Sequence, residues 1–384
     1  MAVSAAPSST RVSVVIPCLD EAETIVECVV AALAVLEKNG LAGEVIVVDN
    51  GSTDGSGDLA RAAGAVLVDE PRRGYGSAYL AGLAAARGDY IVMVDADLTY
   101  DFREIPRFVE KLEEGAQLVV GNRMGGVQPG AMPWLSRLGN PLLSGFLNAL
   151  YRTNVRDAHC GMRALRRSVL PVLNMRTVGM EFASEMVIRA TRERLDVREI
   201  PIELHPRVGE SKLSPFRDGW RHLRLILVYN PTFLFLLPGA AMLLVGSLIA
   251  LLVFAQLSII GRSLYLHSMI LGCLLIILGV QAIGFGLCAR AYGVYFISDQ
   301  DELFQKLRAR FRLEHGLLLA GIVSVAGIAL FCVVGGRWAA NGFGTLSETR
   351  LALFAATLIV VAAQIFFTSF FLSILGLHRR RDEP

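Results

Sequence analysis

Along the first 231 residues, short apolar runs alternate with amphipathic stretches; beyond them the apolar runs lengthen and the alternation stops. Val12–Ile16 is a mostly β-branched run closed by Pro17, and a helical stretch follows from Glu21 to Lys38. Glu44–Val48 is a second strand, ending in Asp49-Asn50-Gly51-Ser52-Thr53-Asp54. A helix through Leu59–Ala63, a strand Ala65–Val68, a helix Ser77–Arg87 and a strand Tyr90–Val94 complete the pattern. Buried strands separated by helices specify an α/β domain with a mainly parallel sheet. Such sheets bind ligands beyond the carboxyl ends of their strands. Three of those ends carry acids: Asp20-Glu21, Asp49 through Asp54, and Asp95-Ala96-Asp97. They are expected to converge on one crevice.

Four later runs approach or exceed the roughly 20 apolar residues that cross a bilayer. They are Phe233–Leu257, Leu266–Ala289, Gly316–Gly335 and Leu351–Leu377. None contains a carboxylate or lysine, which argues against a proton pump or ion channel. Arg290, Lys306, Arg308, Arg310 and Arg312 lie between the second and third runs, and Arg379, Arg380 and Arg381 follow the fourth. The positive-inside rule then predicts a multi-pass protein of the cell membrane with its N-terminal domain in the cytoplasm. The expected organisation is a tail over 1–10, a catalytic domain over 11–212, a juxtamembrane amphipathic segment over 213–232, spans over 233–377 and a basic cytoplasmic tail over 378–384.

Composition sharpens this division. Hydrophobic residues make up 53% of the 384 residues, charged ones 19%, and the mean hydropathy is +0.50. About a quarter of the first 231 residues are charged, but only about an eighth of the rest. The net charge of +2 gives no bulk attraction to nucleic acid. Cys18, Cys28, Cys160, Cys273, Cys288 and Cys332 have no metal-ligand spacing and read as reduced thiols. No GxxxxGK[ST] is present and no GxGxxG follows the first strand, so P-loop and dinucleotide chemistry are not indicated. The Arg72-Arg73-Gly74-Tyr75-Gly76-Ser77 turn reads either as a phosphate-facing helix start or as a plain turn.

Asp95-Ala96-Asp97 is the most informative cluster. Two carboxylates where a buried strand opens into a loop offer hard oxygen ligands suited to Mg²⁺ or Mn²⁺ shared with substrate phosphates. A solvated acidic turn is the bland alternative. The sequence holds only six histidines and no evident base–nucleophile pair. Pro133–Tyr151 is apolar but interrupted by Gly139-Asn140-Pro141, and reads as an interfacial helix pair or as core. Glu185, in a helix opening at Met180, reads as acceptor-facing or as a helix N-terminal carboxylate.

Val14-Val15-Ile16-Pro17-Cys18-Leu19-Asp20-Glu21, then Val47-Val48-Asp49-Asn50-Gly51-Ser52-Thr53-Asp54, then Asp95-Ala96-Asp97-Leu98 resemble the motifs of family 2 glycosyltransferases of the GT-A fold. Gly121-Asn122-Arg123, Asp157-Ala158-His159-Cys160-Gly161-Met162-Arg163 and Arg207-Val208-Gly209-Glu210-Ser211-Lys212-Leu213 narrow the likeness to polyprenyl-phosphate glycosyltransferases, similar to dolichol-phosphate mannose synthase. The resemblance spans residues 11–229.

It implies that Pro17, Leu19, Glu21 and Asp49 line the base and ribose of a UDP- or GDP-linked sugar. Asp95-Ala96-Asp97 would meet its diphosphate, with Asp95 and Asp97 holding Mg²⁺ or Mn²⁺. Arg123 would reach the donor side, and Arg207 and Lys212 the phosphates. The sequence departs from the family where Leu19 and Asp20 replace an aromatic residue and Asn, where Asn50 replaces an acid, and where Thr99 replaces Gln. The implied reaction is metal-dependent, inverting transfer of one sugar to a polyprenyl (dolichyl or undecaprenyl) phosphate at the membrane lipid. Related enzymes self-associate through their spans, so a homo-oligomer is expected. An ionised phosphate acceptor needs no general base. A processive polysaccharide synthase is the enzymatic alternative, though its Q-x-x-R-W motif is absent; a catalytically silent membrane scaffold is the other.

Overall fold

The computed structural model describes residues 11–209, 214–256, 258–259, 262–263, 265–296, 313–344 and 348–377. The chain divides into two compact units, Met1–Ile226 and Leu227–Pro384. The boundary falls inside the stretch assigned from sequence to the juxtamembrane segment.

The first unit is built on a seven-stranded sheet. Its strands are β1 (Val12–Cys18), β2 (Gly43–Asp49), β3 (Val66–Asp69), β4 (Tyr90–Met93), β5 (Leu118–Asn122), β6 (Arg163–Arg166) and β7 (Val197–Pro201), in the spatial order β3-β2-β1-β4-β6-β5-β7. β1 pairs in parallel with both β2 and β4, and β2 with β3. β6 runs antiparallel between β4 and β5, and β5 pairs in parallel with β7. Val12, Val14, Val15 and Ile16 of β1 and Ile46, Val47 and Val48 of β2 are wholly buried, as central strands covered on both faces must be. Cys18 stands opposite Asp49 and Asp49 opposite Asp69, so the acidic ends of β1 and β2 lie side by side.

The helices are α1 (Ile25–Lys38), α2 (Ser56–Ala62), α3 (Tyr75–Ala85), α4 (Ile105–Glu113), α5 (Trp134–Tyr151), α6 (Leu170–Leu173), α7 (Phe182–Arg192) and α8 (Pro215–Val228), of which α1–α4 pack on the sheet. In α1, Ile25, Cys28, Val29, Ala32, Val35 and Leu36 are buried, a stripe at helical spacing. Its expected start at Glu21 moves to Ile25, because Thr24 turns its hydroxyl to the Ala96 carbonyl at 2.7 Å. In α3, a side chain at Gly82 would strike Val15 and come within 2.8 Å of Val48, so this helix lies directly on β1 and β2.

The expected break at 139–141 does not occur. α5 is continuous for 18 residues with Pro141 inside it. Only Ser144 and Leu147 of that helix are buried, while Trp134, Leu135, Leu138 and Leu142 are exposed, so it is not a core helix.

Among its described residues the second unit holds four apolar helices long enough to cross a membrane, over Thr232–Phe254, Leu266–Val294, Leu313–Ala340 and Thr349–Gly376. The corresponding elements are α9 (Leu237–Phe254), α10 (Leu266–Phe296), α11 (Leu313–Ala340) and α12 (Thr349–Leu377). α9 and α10 meet at glycines: a Cβ at Gly246 would lie 2.6 Å from the Gly272 carbonyl, and one at Gly279 would lie 2.7 Å from that of Gly239. Such close approach is how helices associate without a hydrophobic driving force. Gln364 on α12 donates to Gln281 on α10 at 2.9 Å. The basic clusters at 306–312 and 379–381 lie outside the described residues.

Candidate active site

The loops after β1 and β2 are stapled by short polar side chains. Asp20, at φ 49°, accepts from the Thr53 amide at 2.7 Å, and Ser52 accepts from the Asp20 amide at 2.9 Å. Asp54 accepts from Ala22 N, and Ser56 from Glu21 N, each at 2.9 Å. The family departure at Asp20 therefore joins two loops. Pro17, Leu19, Glu21 and Asp49 are half-buried beside this staple, and Asp49 accepts from Ser52 N at 3.0 Å.

Asn50 is buried and fully used. Its Nδ2 donates to the carbonyls of Glu70 and Arg72, both at 2.8 Å, and its Oδ1 accepts from Gly74 N at 2.7 Å. An aspartate there could not make the two donations. The clamp sets the 72–74 turn, where Gly74 takes φ 151° and its α-carbon, like that of Gly76, sits against the carbonyls of Val178 and Thr177. No side chain fits at either position.

That turn starts α3, whose Tyr75 and Tyr79 hydroxyls both donate to Asp95 Oδ1, at 3.0 and 3.2 Å. Asp95 Oδ2 lies against the α-carbon of Gly161, where any Cβ would collide with it. Burial, reinforced by the neighbouring charge of Asp97, raises the Asp95 pKa to about 6 against the pull of the two hydroxyls. Asp97 is held by the Thr99 amide at 3.1 Å and the Thr99 hydroxyl at 2.5 Å. Thr99, the residue standing in place of Gln, thus fixes the second carboxylate. Arg207 bridges Glu21 Oε1 at 2.5 Å and Asp97 Oδ2 at 3.2 Å, so the ends of β1 and β4 do share one crevice.

Arg123 is held by a buried carboxylate. Its Nε and a terminal nitrogen grip the two Asp157 oxygens at 2.7 and 2.9 Å, and its other terminal nitrogen donates to Tyr100 at 3.2 Å. Arg123 is 8% exposed and Asp157 0%, so the guanidinium supports the 157–161 loop. Glu199 braces the same loop by accepting from the Arg156 and Asp157 amides at 2.8 and 3.0 Å. Lys212 lies outside the described residues.

Glu185 also turns inward. It accepts from Thr177 N at 2.8 Å, the Thr177 hydroxyl at 2.7 Å, Arg176 N at 3.0 Å and Arg189 Nε at 2.8 Å. Burial opposes its charge, but these donors outweigh it and hold the carboxyl below its ordinary pKa. It anchors the 176–178 turn that backs Gly74 and Gly76. A further cluster left no pattern in the sequence: Ser184 Oγ lies 2.8 Å from His222 Nδ1 and 3.2 Å from His159 Nε2.

Among the described residues, no group of three or more His, Cys, Asp or Glu side chains forms a complete metal cage. Two neighbouring carboxylates, both oriented by hydroxyl donors, are a ligand set that would suit a hard divalent ion completed by oxygens from outside the protein.

This sheet, with a carboxylate crevice at its strand ends and apolar spanning helices after it, defines a membrane glycosyltransferase of GT-A type. Residues 13–173 match the family described as Glycosyl transferase family 2, and residues 287–376 match the Glycosyltransferase family 2 C-terminal transmembrane region. The low-salt glycan biosynthesis hexosyltransferase Agl6 of Haloferax volcanii is 37% identical over 367 residues, covering 95% of this chain and 89% of Agl6. The dolichyl-phosphate hexose transferase of the same organism is 34% identical over 178 residues, 46% of this chain and 76% of that protein. Mycobacterium tuberculosis glucosyl-3-phosphoglycerate synthase, solved with Mn²⁺, UDP and glucosyl-3-phosphoglycerate, superposes with a TM-score of 0.47 at 25% identity, covering 58% of this chain and 80% of that one. The chain belongs to glycosyltransferase family 2.

Proposed function

We propose that the enzyme moves one hexose from a UDP- or GDP-linked donor to a polyprenyl phosphate at the cytoplasmic face of the membrane, with inversion at the anomeric carbon. The observation that carries this reading is the crevice in which Glu21, Asp97 and Arg207 meet beside the tyrosine-held Asp95. Asp95 and Asp97 are the residues that would hold Mg²⁺ or Mn²⁺. When such an ion is bound, charge developing on the departing nucleoside diphosphate is neutralised.

The acceptor's phosphate is ionised at neutral pH, its second pKa being near 6. Its oxygen attacks without a general base, and the protein's work reduces to positioning and electrostatics. This agrees with His159 and His222 being bonded to Ser184 rather than poised at the carboxylates. A lipid acceptor is supported by the spans and by exposed Trp134, Leu138 and Leu142 on α5 and Phe216 and Trp220 on α8. Large apolar side chains at the surface of a domain joined to spans suit the membrane interface. The hexose transfer and dolichyl phosphate named for the Haloferax relatives support the same assignment. Cytoplasmic placement rests on the Lys/Arg bias of the sequence.

The test is transfer of labelled hexose from UDP- and GDP-sugars into organic-extractable lipid by the full-length protein in polyprenyl-phosphate-containing vesicles. Asp97→Asn is expected to lower the rate by at least about a hundredfold. Undiminished transfer by that variant would refute the metal role. A long, non-extractable product would replace the proposal with a processive synthase.

A further inference from the structure

We infer that Arg207 is the crevice's built-in counter-ion and makes divalent-cation binding conditional on the donor. This rests on reading the crevice as a nucleotide-sugar site. In the donor-free enzyme the guanidinium occupies the carboxylates that a cation and a ribose require, and it is released when a diphosphate arrives together with the cation.

The segment carrying Arg207 is tied alongside the Asp97 loop. His205 N donates to the Thr99 carbonyl at 2.9 Å, and Val208 N to the Asp97 carbonyl at 3.4 Å. From there one terminal nitrogen reaches Glu21 at 2.5 Å and the other reaches Asp97 at 3.2 Å. The three side chains are only 12–20% exposed. The arginine offsets the repulsion between two poorly solvated carboxylates that face each other.

A second observation concerns the remaining nitrogen. Arg207 Nε is buried and has no hydrogen-bond partner among the described residues. An unpaired buried donor is unfavourable until something accepts from it. A phosphate oxygen is the matching acceptor, since guanidinium donors recognise phosphate as a fork. The bridge therefore satisfies the carboxylates of the empty site but leaves the arginine incompletely bonded.

The charge arithmetic sets the order of events. A divalent cation approaching alone meets a carboxylate already paired with a positive group, which both competes with it and repels it. Once a diphosphate is present, Arg207 gains an anionic partner for all its donors, and Asp97 is freed. Metal uptake and donor uptake then reinforce each other, as linked equilibria must.

The experiment measures Mn²⁺ alone, from the aqueous Mn²⁺ paramagnetic resonance signal, with full-length enzyme in lipid nanodiscs and no nucleotide. Binding of labelled UDP-glucose and GDP-mannose with Mn²⁺ is measured in parallel. Arg207→Gln is expected to bind Mn²⁺ alone about tenfold more tightly than the wild type, while binding the labelled donor more weakly. Arg207→Lys, whose single ammonium cannot span both carboxylates, is expected to fall between the two and serves if the glutamine variant does not fold. If the wild type binds donor but neither variant binds Mn²⁺ more tightly, the counter-ion role is overturned and the donor site stands. If the wild type binds neither labelled donor, the donor site falls, and the counter-ion role with it. Loss of packing alone would weaken Mn²⁺ binding, so a gain separates this role from a structural one.

Discussion

Acidification from pH 7 to pH 5 should destabilise the catalytic unit through His222. This imidazole is 6% exposed, and burial, with the charge of Arg163 second, lowers its pKa to about 4. The nearby His159 is held well below its ordinary value by burial and then by the charge of His222. In the unfolded chain each histidine titrates near 6.5. Below that pH the unfolded state binds the proton that the native state refuses, so stability is complete above about pH 6.5 and falls as the pH drops toward 4.

For His222 alone, 2.5 units of separation amount to about 3 kcal/mol in full, of which about 2 kcal/mol is lost by pH 5. The Ser184 hydroxyl can accept from a protonated ring, but a neutral serine brings no negative charge to offset the buried imidazolium. At about 2–4 °C per kcal/mol for a unit of this size, the wild-type Tm should fall about 4–8 °C between pH 7 and 5 from this source. Asp95 works in the opposite direction, because its native pKa is raised and its protonated form is favoured in the fold. The assay is therefore a difference: thermal unfolding of the detergent-solubilised full-length protein against His222→Gln at both pH values. The variant keeps an amide for Ser184 but cannot titrate, and its Tm should drop about 4–8 °C less than that of the wild type. Equal drops in the two proteins would refute the reasoning.

Asp157→Ala would strand the buried Arg123 charge and should cost about 3–5 kcal/mol, measured by denaturant unfolding, with loss of transfer activity as the Gly161 loop relaxes. Tyr75→Phe with Tyr79→Phe removes both hydroxyl donors from Asp95. About a tenfold rise in the Mn²⁺ concentration needed for half-maximal activity is expected, with folding retained because the stacked ring of Tyr79 on Phe182, at 5.7 Å, is kept. Gly246→Leu places a side chain where the Gly272 carbonyl lies 2.6 Å from a Cβ, so α9 and α10 must separate. Detergent-solubilised protein should then melt at a lower temperature and aggregate, while residues 11–209 keep their protease resistance.

The first four strands were readable because each is a short apolar run rich in β-branched residues; the polar Ser13 and Glu44 inside the sheet bond each other at 2.7 Å. The position of β6 was not readable. Arg163–Arg166 is four residues with three arginine-or-leucine side chains, and its antiparallel place between β4 and β5 follows only from pairing with segments more than forty residues away. α5 reads as broken because Pro141 removes one backbone donor; the helix continues because the rest of its ladder forms and little of its surface has to fit a neighbour. The grip of Asp157 on Arg123 was not readable either, because the two lie 34 residues apart.

Local pattern alone determined that this chain has an α/β catalytic unit with acids at its strand ends and four apolar helices after it. These are consequences of periodicity and length, which neighbouring residues encode between themselves. The tertiary structure decided which partner each charge meets. Asp95 belongs to two tyrosines on α3, Arg123 to Asp157, Glu185 to the 176–178 turn, and Arg207 to Glu21 and Asp97. Charge and hydrogen-bond capacity are fixed by residue type, but whether a group still has capacity for a substrate depends on partners brought together from distant parts of the chain.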